Sequence, residues 1–187
     1  MSTELSGRYG GTAIAVHWVT AVLIFALFII GWRMVGMQLS PAKMEAYALH
    51  KSIGLLTLGV AAFRLLWRGF RAPPRLANEA RWQHFAAHAT HALLYVLLFA
   101  LPLSGWMYNS SAGFPLSFFG LTNLPPLTGA DEAVKAVWRA MHWFLGCTLA
   151  GLIGIHVAAA LYHQFVQCDS VLQRMLPAVG LWKRRRA

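Results

Sequence analysis

The sequence predicts an all-α fold, a four-helix bundle integral to a membrane, and three observations carry that expectation. Four runs of about twenty mostly apolar residues recur along the chain, each long enough as a helix to cross a bilayer core roughly 30 Å thick. Charge is scarce, since 58% of the 187 residues are apolar and 12% charged, against about 45–50% and 25% in soluble domains. All eight histidines fall within or at the end of one of the apolar runs.

The first span is expected over about residues 12–35 and the second over 46–67. The third is expected over 84–108 and the fourth over 137–165. Turn-rich or charged segments separate them: Gly36–Lys43, then Arg68–Arg81 with Pro73 and Pro74, then Ser110–Asp131 with Pro115, Pro125 and Pro126. Pro102 falls inside the third span, where neighbouring helices can satisfy the carbonyl it frees. The 110–131 loop carries no recognisable motif. After the last span, residues 169–187 read as a cytoplasmic tail. Its Ser170–Leu176 stretch is expected to form a short interfacial helix, anchored on anionic lipid by the KRRR run at Lys183–Arg186. The first run lacks a convincing cleavage site and reads as a retained signal anchor.

Orientation follows from the Lys and Arg count on each side. Arg8, the Arg64–Arg81 group, Arg174 and the basic tail place eleven of the 16 on one side. Both termini and the second loop of this multi-pass chain are therefore expected in the cytoplasm. This topology signal accounts for the net charge of +10, so no nucleic-acid partner is expected and membrane lipid is. Cys147 lies inside an apolar run and Cys168 just beyond its end, which suggests neither a disulfide framework nor a zinc motif. Seven of the eight tryptophans, Trp18, Trp32, Trp106 and Trp143 among them, fall mostly at span ends, as an interfacial belt would.

Ionisable residues inside a bilayer usually face a bundle interior or a functional site. His142 and His156 are fourteen residues apart on the fourth span, which places them on one face and about 21 Å apart along the axis at 1.5 Å per residue. That separation suits two stacked haems, each needing an axial ligand, and is too long for one metal ion. The outer partner of His142 is His50 by elimination. The inner partner of His156 is left open by depth among His17, His88 and His91. Two imidazoles per iron would close both axial positions and leave one-electron transfer as the chemistry. Gly54 and Gly146 lie one turn beyond His50 and His142, and Gly151 one turn before His156. Small residues there would admit a flat macrocycle, or simply pack helices. Arg64 and Arg68 are candidates to pair with haem propionates, with snorkelling as the competing explanation. His84, His88 and His91, with His163, gather at the inner interface, where histidine could relay protons to a quinone; zinc is the competing reading of that spacing.

With these residues placed, the chain resembles the bacterial cytochrome b561 family over nearly its whole length. The resemblance rests on His17–Trp18, LHKSIG around His50, AHATHALLY around His88 and Tyr95, and ALPLSGWMY at Ala100–Tyr108. It continues through His142–Trp143, GIHVAAALYHQF around His156 and RMLP at Arg174. It implies two haem b groups, one held by His17 and His156 and the other by His50 and His142, with ubiquinone as electron acceptor. It further implies a place in the bacterial cell inner membrane, with superoxide as the electron donor at the periplasmic face. Lys51 and Arg139, with Lys43 and Lys135, could form a cationic mouth for that anion, diluted by Asp131 and Glu132. No obligatory protein partner is expected. The alternatives are a cytochrome b subunit serving a peripheral hydrogenase- or formate-dehydrogenase-type enzyme, and a non-redox channel using histidine proton relays.

Overall fold

The computed structural model describes residues 8–70 and 81–177. Four long helices dominate: α1 (Gly11–Gly36), α2 (Pro41–Phe70), α3 (Arg81–Ser111) and α4 (Glu132–Phe165). Each is long and apolar enough to cross a membrane. All four outrun the expected spans, because hydropathy stops at the first charges while the helix continues through them. Local chemistry sets two of these starts. Ser40 Oγ accepts the Lys43 N–H ahead of Pro41, whose missing N–H is harmless in a first turn. Asp131 caps α4 by accepting from the Ala133 and Val134 N–H groups. Helix α3 runs unbroken through Pro102.

The interior is built from small and hydroxyl-bearing residues, including Thr20, Ser52, Thr57, Ala61 and Ser104, while Phe25, Trp32, Trp82 and Trp143 point outward. That inversion of a soluble protein is what lipid allows, since outward aromatics meet acyl chains and small inward residues let helices approach. The buried hydroxyls are satisfied locally: Thr20 donates to the Val16 carbonyl, Ser52 to Ala48 and Thr57 to Ile53.

The helices do not close into a ring. Helix α3 packs on α4, α1 on α2 and α2 on α3, but no Cα of α4 lies within 8 Å of one in α1 or α2. The end where α1 begins and α4 finishes is termed inner, following the charge count; the opposite end is outer. The count itself leans on Arg71, Arg75 and Lys183–Arg186, which lie outside the described residues.

At the outer end the 110–131 loop forms a hairpin, β1 (Leu116–Phe118) with β2 (Thr122–Leu124), antiparallel with Ser117 opposite Asn123. Phe119 and Gly120 turn it with φ of 50° and 73°, the paired positive values that favour tight hairpins. Ser52 Oγ on α2 shares its one proton between the Ala48 and Ser117 carbonyls and accepts the Phe119 N–H. Trp106 and Ser110 on α3 bind the Pro125 carbonyl and the Leu127 N–H. The hairpin therefore covers the outer ends of α2 and α3. At the inner end the 170–176 stretch folds as one 3-10 turn, Leu172–Arg174. It is fastened to α1 by Trp18 Nε1 donating to the Met175 carbonyl and Arg8 donating to the Leu176 carbonyl.

Candidate haem-binding site

Two histidine pairs bridge the space that α4 leaves toward α1 and α2. The rings of His50 (α2) and His142 (α4) have centroids 6.3 Å apart. Those of His17 (α1) and His156 (α4) are 6.4 Å apart. A ligating imidazole nitrogen sits about 2.0 Å from its metal, so two rings on opposite sides of one ion have centres roughly 6 Å apart once half a ring is added on each side. Both pairs match that span, and they do so between helices whose backbones stay apart. His91 lies closer to His156, at 5.4 Å, short of the same span. His88 is exposed and contributes no ring contact to either pair.

The outer pair is sculpted for its rings. A Cβ added at Gly105 would lie 3.0 Å from His142 Cε1, and one at Gly31 would lie 3.2 Å from His50 Cε1. Sequence reasoning missed both glycines, because each faces a histidine on another helix and no spacing along one chain segment announces that. By contrast a Cβ at Gly54, Gly146 or Gly151 would meet nothing within 4 Å. Those glycines therefore line open space rather than a tight helix contact.

Hydrogen bonds fix the tautomer of His142. Its Nδ1 lies 3.1 Å from the Leu101 carbonyl and 3.0 Å from Ser104 Oγ. Ser104 donates to that same carbonyl, so Nδ1–H is the donor and Nε2 keeps its lone pair, the arrangement that metal-binding histidines adopt. The Leu27 carbonyl acts on the His50 ring, yet no hydrogen bond closes on its buried Nδ1. A ring that ligates through Nε2 has its Nδ1–H left to donate to such a carbonyl.

The inner pair is surrounded by cations. Arg64 Nη2 lies 3.1 Å from His17 Nδ1. A guanidinium only donates, so Nδ1 is the acceptor here and the neutral ring carries its proton on Nε2. Holding a metal through Nε2 would move that proton to Nδ1 and release Arg64. Arg64 and Arg68 both lie over the Tyr95 ring, at 5.4 and 5.8 Å, so the two propionate candidates do come together beside His17. His163 stands in a different contact set. Its Nδ1 pairs with Asp169 and its ring meets Tyr162. Among the described residues no cluster of three or more His, Cys, Asp or Glu could hold a metal ion, which leaves the zinc reading without support.

The outer cations fare unevenly. Lys51 donates to Asn109 Oδ1 and to the Pro115 carbonyl, tying the residue after His50 to the hairpin loop. Arg139 is exposed. Lys135 is held by both carboxylate oxygens of Glu132 at 2.7 Å, and Lys43 donates to the Met37 carbonyl. Of the acidic residues at this end, Glu132 is spent on Lys135 and Asp131 on the α4 cap, while Glu45 near the start of α2 is exposed.

The profile of the prokaryotic cytochrome b561 family matches residues 8–178. Cytochrome b561 homolog 2 of Escherichia coli (strain K12) is 36% identical, covering 93% of this chain and 94% of its own. Cytochrome b561 homolog 1 of the same organism is 29% identical over 91% and 97%. A protein of Yersinia pestis named probable superoxide oxidase CybB is 28% identical over 91% and 96%.

Proposed function

Because the chain belongs to the prokaryotic cytochrome b561 family, we propose that it is a di-haem carrier taking electrons from superoxide at the periplasmic face to ubiquinone near the inner end. Membership itself carries transmembrane electron transfer through b-type haem, in a multi-pass chain of the inner membrane. The single observation supporting two haems is the pair of histidine bridges, spaced 6.3 and 6.4 Å across helices with no Cα of one within 8 Å of a Cα of the other. The same spacing favours His17 over His91 as the inner partner of His156. A haem with imidazole at both axial positions exchanges single electrons and leaves oxygen no open site.

The chain's own residues supply the rest. Ser104 and the Leu101 carbonyl orient His142, and Gly31 and Gly105 make room for the outer rings. Arg64 and Arg68 offer cations to propionates beside the inner pair. Lys51, next to His50 and turned toward the loop above it, draws the superoxide anion to the outer end, with Arg139 adding to the field. Two superoxide ions release two electrons and two molecules of dioxygen; with two protons those electrons convert one quinone to quinol. His88, His91 and His163 are the inner groups able to pass protons. Both termini face the cytoplasm in this reading.

The pairing is tested by haem content. His50→Ala or His142→Ala should lower purified protein from two haems per chain to about one, with the inner haem retained. Two haems in either variant would reject the outer pair. The substrates are tested separately. A superoxide pulse should reduce the haem bands of the wild-type protein, and ubiquinone should reoxidise them; no reduction by superoxide would leave only a carrier for another donor.

A further inference from the structure

At the inner mouth one cation has no partner. Arg174 sits at the end of the 3-10 turn, and its Nε and Nη1 are buried without a hydrogen-bond acceptor. No carboxylate among the described residues forms an ion pair with it. Burying a charged donor unpaired is unfavourable, so the arrangement calls for an oxyanion that the described residues do not provide. The backbone places Arg174 at the inner end of the bundle. The Tyr9 N–H donates to the Arg174 carbonyl, and Trp18 Nε1 donates to the carbonyl of Met175. Trp18 is itself in edge contact with His17, at 5.5 Å between ring centroids. Arg174 is therefore clamped between the start of α1 and the end of α4, the two helices that carry His17 and His156. Arg64 and Arg68 differ from it in lying against rings, those of His17 and Tyr95.

We propose that Arg174 is an anion-binding residue of the inner site, its planar fork holding a carboxylate of the inner porphyrin. Guanidinium suits that task because it pairs with carboxylate through two parallel hydrogen bonds. A phosphate from a lipid headgroup or from solution presents the same oxyanion chemistry, and the experiment separates the sources. The proposal rests on the di-haem reading: a protein with fewer than two haems would refute that reading, whereas two haems with unmoved potentials would refute the Arg174 contact alone.

The test is a redox titration of purified, haem-loaded protein in a maltoside detergent and phosphate-free buffer, where neither lipid phosphate nor free phosphate is in excess. Removing the cation leaves a propionate charge uncompensated, which favours the oxidised iron. Arg174→Leu should therefore shift the inner haem's reduced-to-oxidised equilibrium at least tenfold toward oxidised, about 59 mV for one electron. The outer haem should stay within threefold of wild type. In the His142→Ala background, where the inner haem titrates alone, the same shift should recur. Arg174→Lys, which keeps the charge, should recover most of it. If Arg174→Leu loses the inner haem outright, its return in Arg174→Lys supports the proposal, and its absence from both variants overturns it. Unchanged potentials in Arg174→Leu, equal shifts of both haems, or a shift seen only with added phospholipid or phosphate would also overturn it.

Discussion

A methyl group at Gly105 would stand 3.0 Å from His142 Cε1, against 3.2 Å to His50 Cε1 for one at Gly31. Alanine gains about 1 kcal/mol over glycine as a helix former, while overpacking a fitted site loses about 1–3 kcal/mol. The two effects nearly balance at Gly31, and the clash wins at Gly105. Gly105→Ala should therefore lower outer-haem occupancy or broaden its spectrum while the inner haem is unaltered, and Gly31→Ala should stay close to wild type. Haem quantification with low-temperature difference spectra checks both; equal behaviour would deny that the imidazole sets the limit. At this scale the sequence was readable in part. Fourteen residues between His142 and His156 are enough to place two rings on one face. The glycines opposite, the Arg64 contact to His17 and the unpaired Arg174 all depend on side chains from different helices meeting, which no local pattern encodes.

Helix starts are the part of the elements that hydropathy misplaced. Val137 is the first residue of the strongly apolar run, yet α4 begins at Glu132 because Asp131 satisfies two N–H groups of the first turn. Asp131→Ala should remove about 1 kcal/mol of that support, seen as a lower thermal midpoint with haem content unchanged, and Asp131→Asn should retain most of it. A midpoint equal to wild type would mean that the hairpin, through the Asp131 N–H to the Ser111 carbonyl, fixes this end unaided. The hairpin itself escaped the sequence reading for a physical reason. Its strands are three residues each, too short for an alternation to register. Its turn puts Phe119, an aromatic residue, at positive φ, where glycine or asparagine is the recognisable signal.

Electrostatics belongs to the whole molecule. With Lys135 paired to Glu132, the outer end keeps Arg33, Lys43, Lys51 and Arg139 against Glu45 and Asp131, and the cations next along the chain to the outer histidines are Lys51 and Arg139. Neutralising both should slow superoxide oxidation and flatten its dependence on ionic strength, because steering is screened over about 10 Å at 0.1 M salt. A rate at low salt equal to that of the wild type would rule steering out. The four-span architecture was legible because apolar length is a property of each segment alone. How the spans are grouped was not, since that depends on what fills the bundle. Helix α4 keeps its backbone away from α1 and α2 and reaches them with its imidazoles, so the helix backbones close three sides of a square. Cells starved of porphyrin should insert the chain normally yet leave its first helical hairpin unlatched. Such a precursor should be cleared by membrane proteases until pigment arrives to complete the fourth wall.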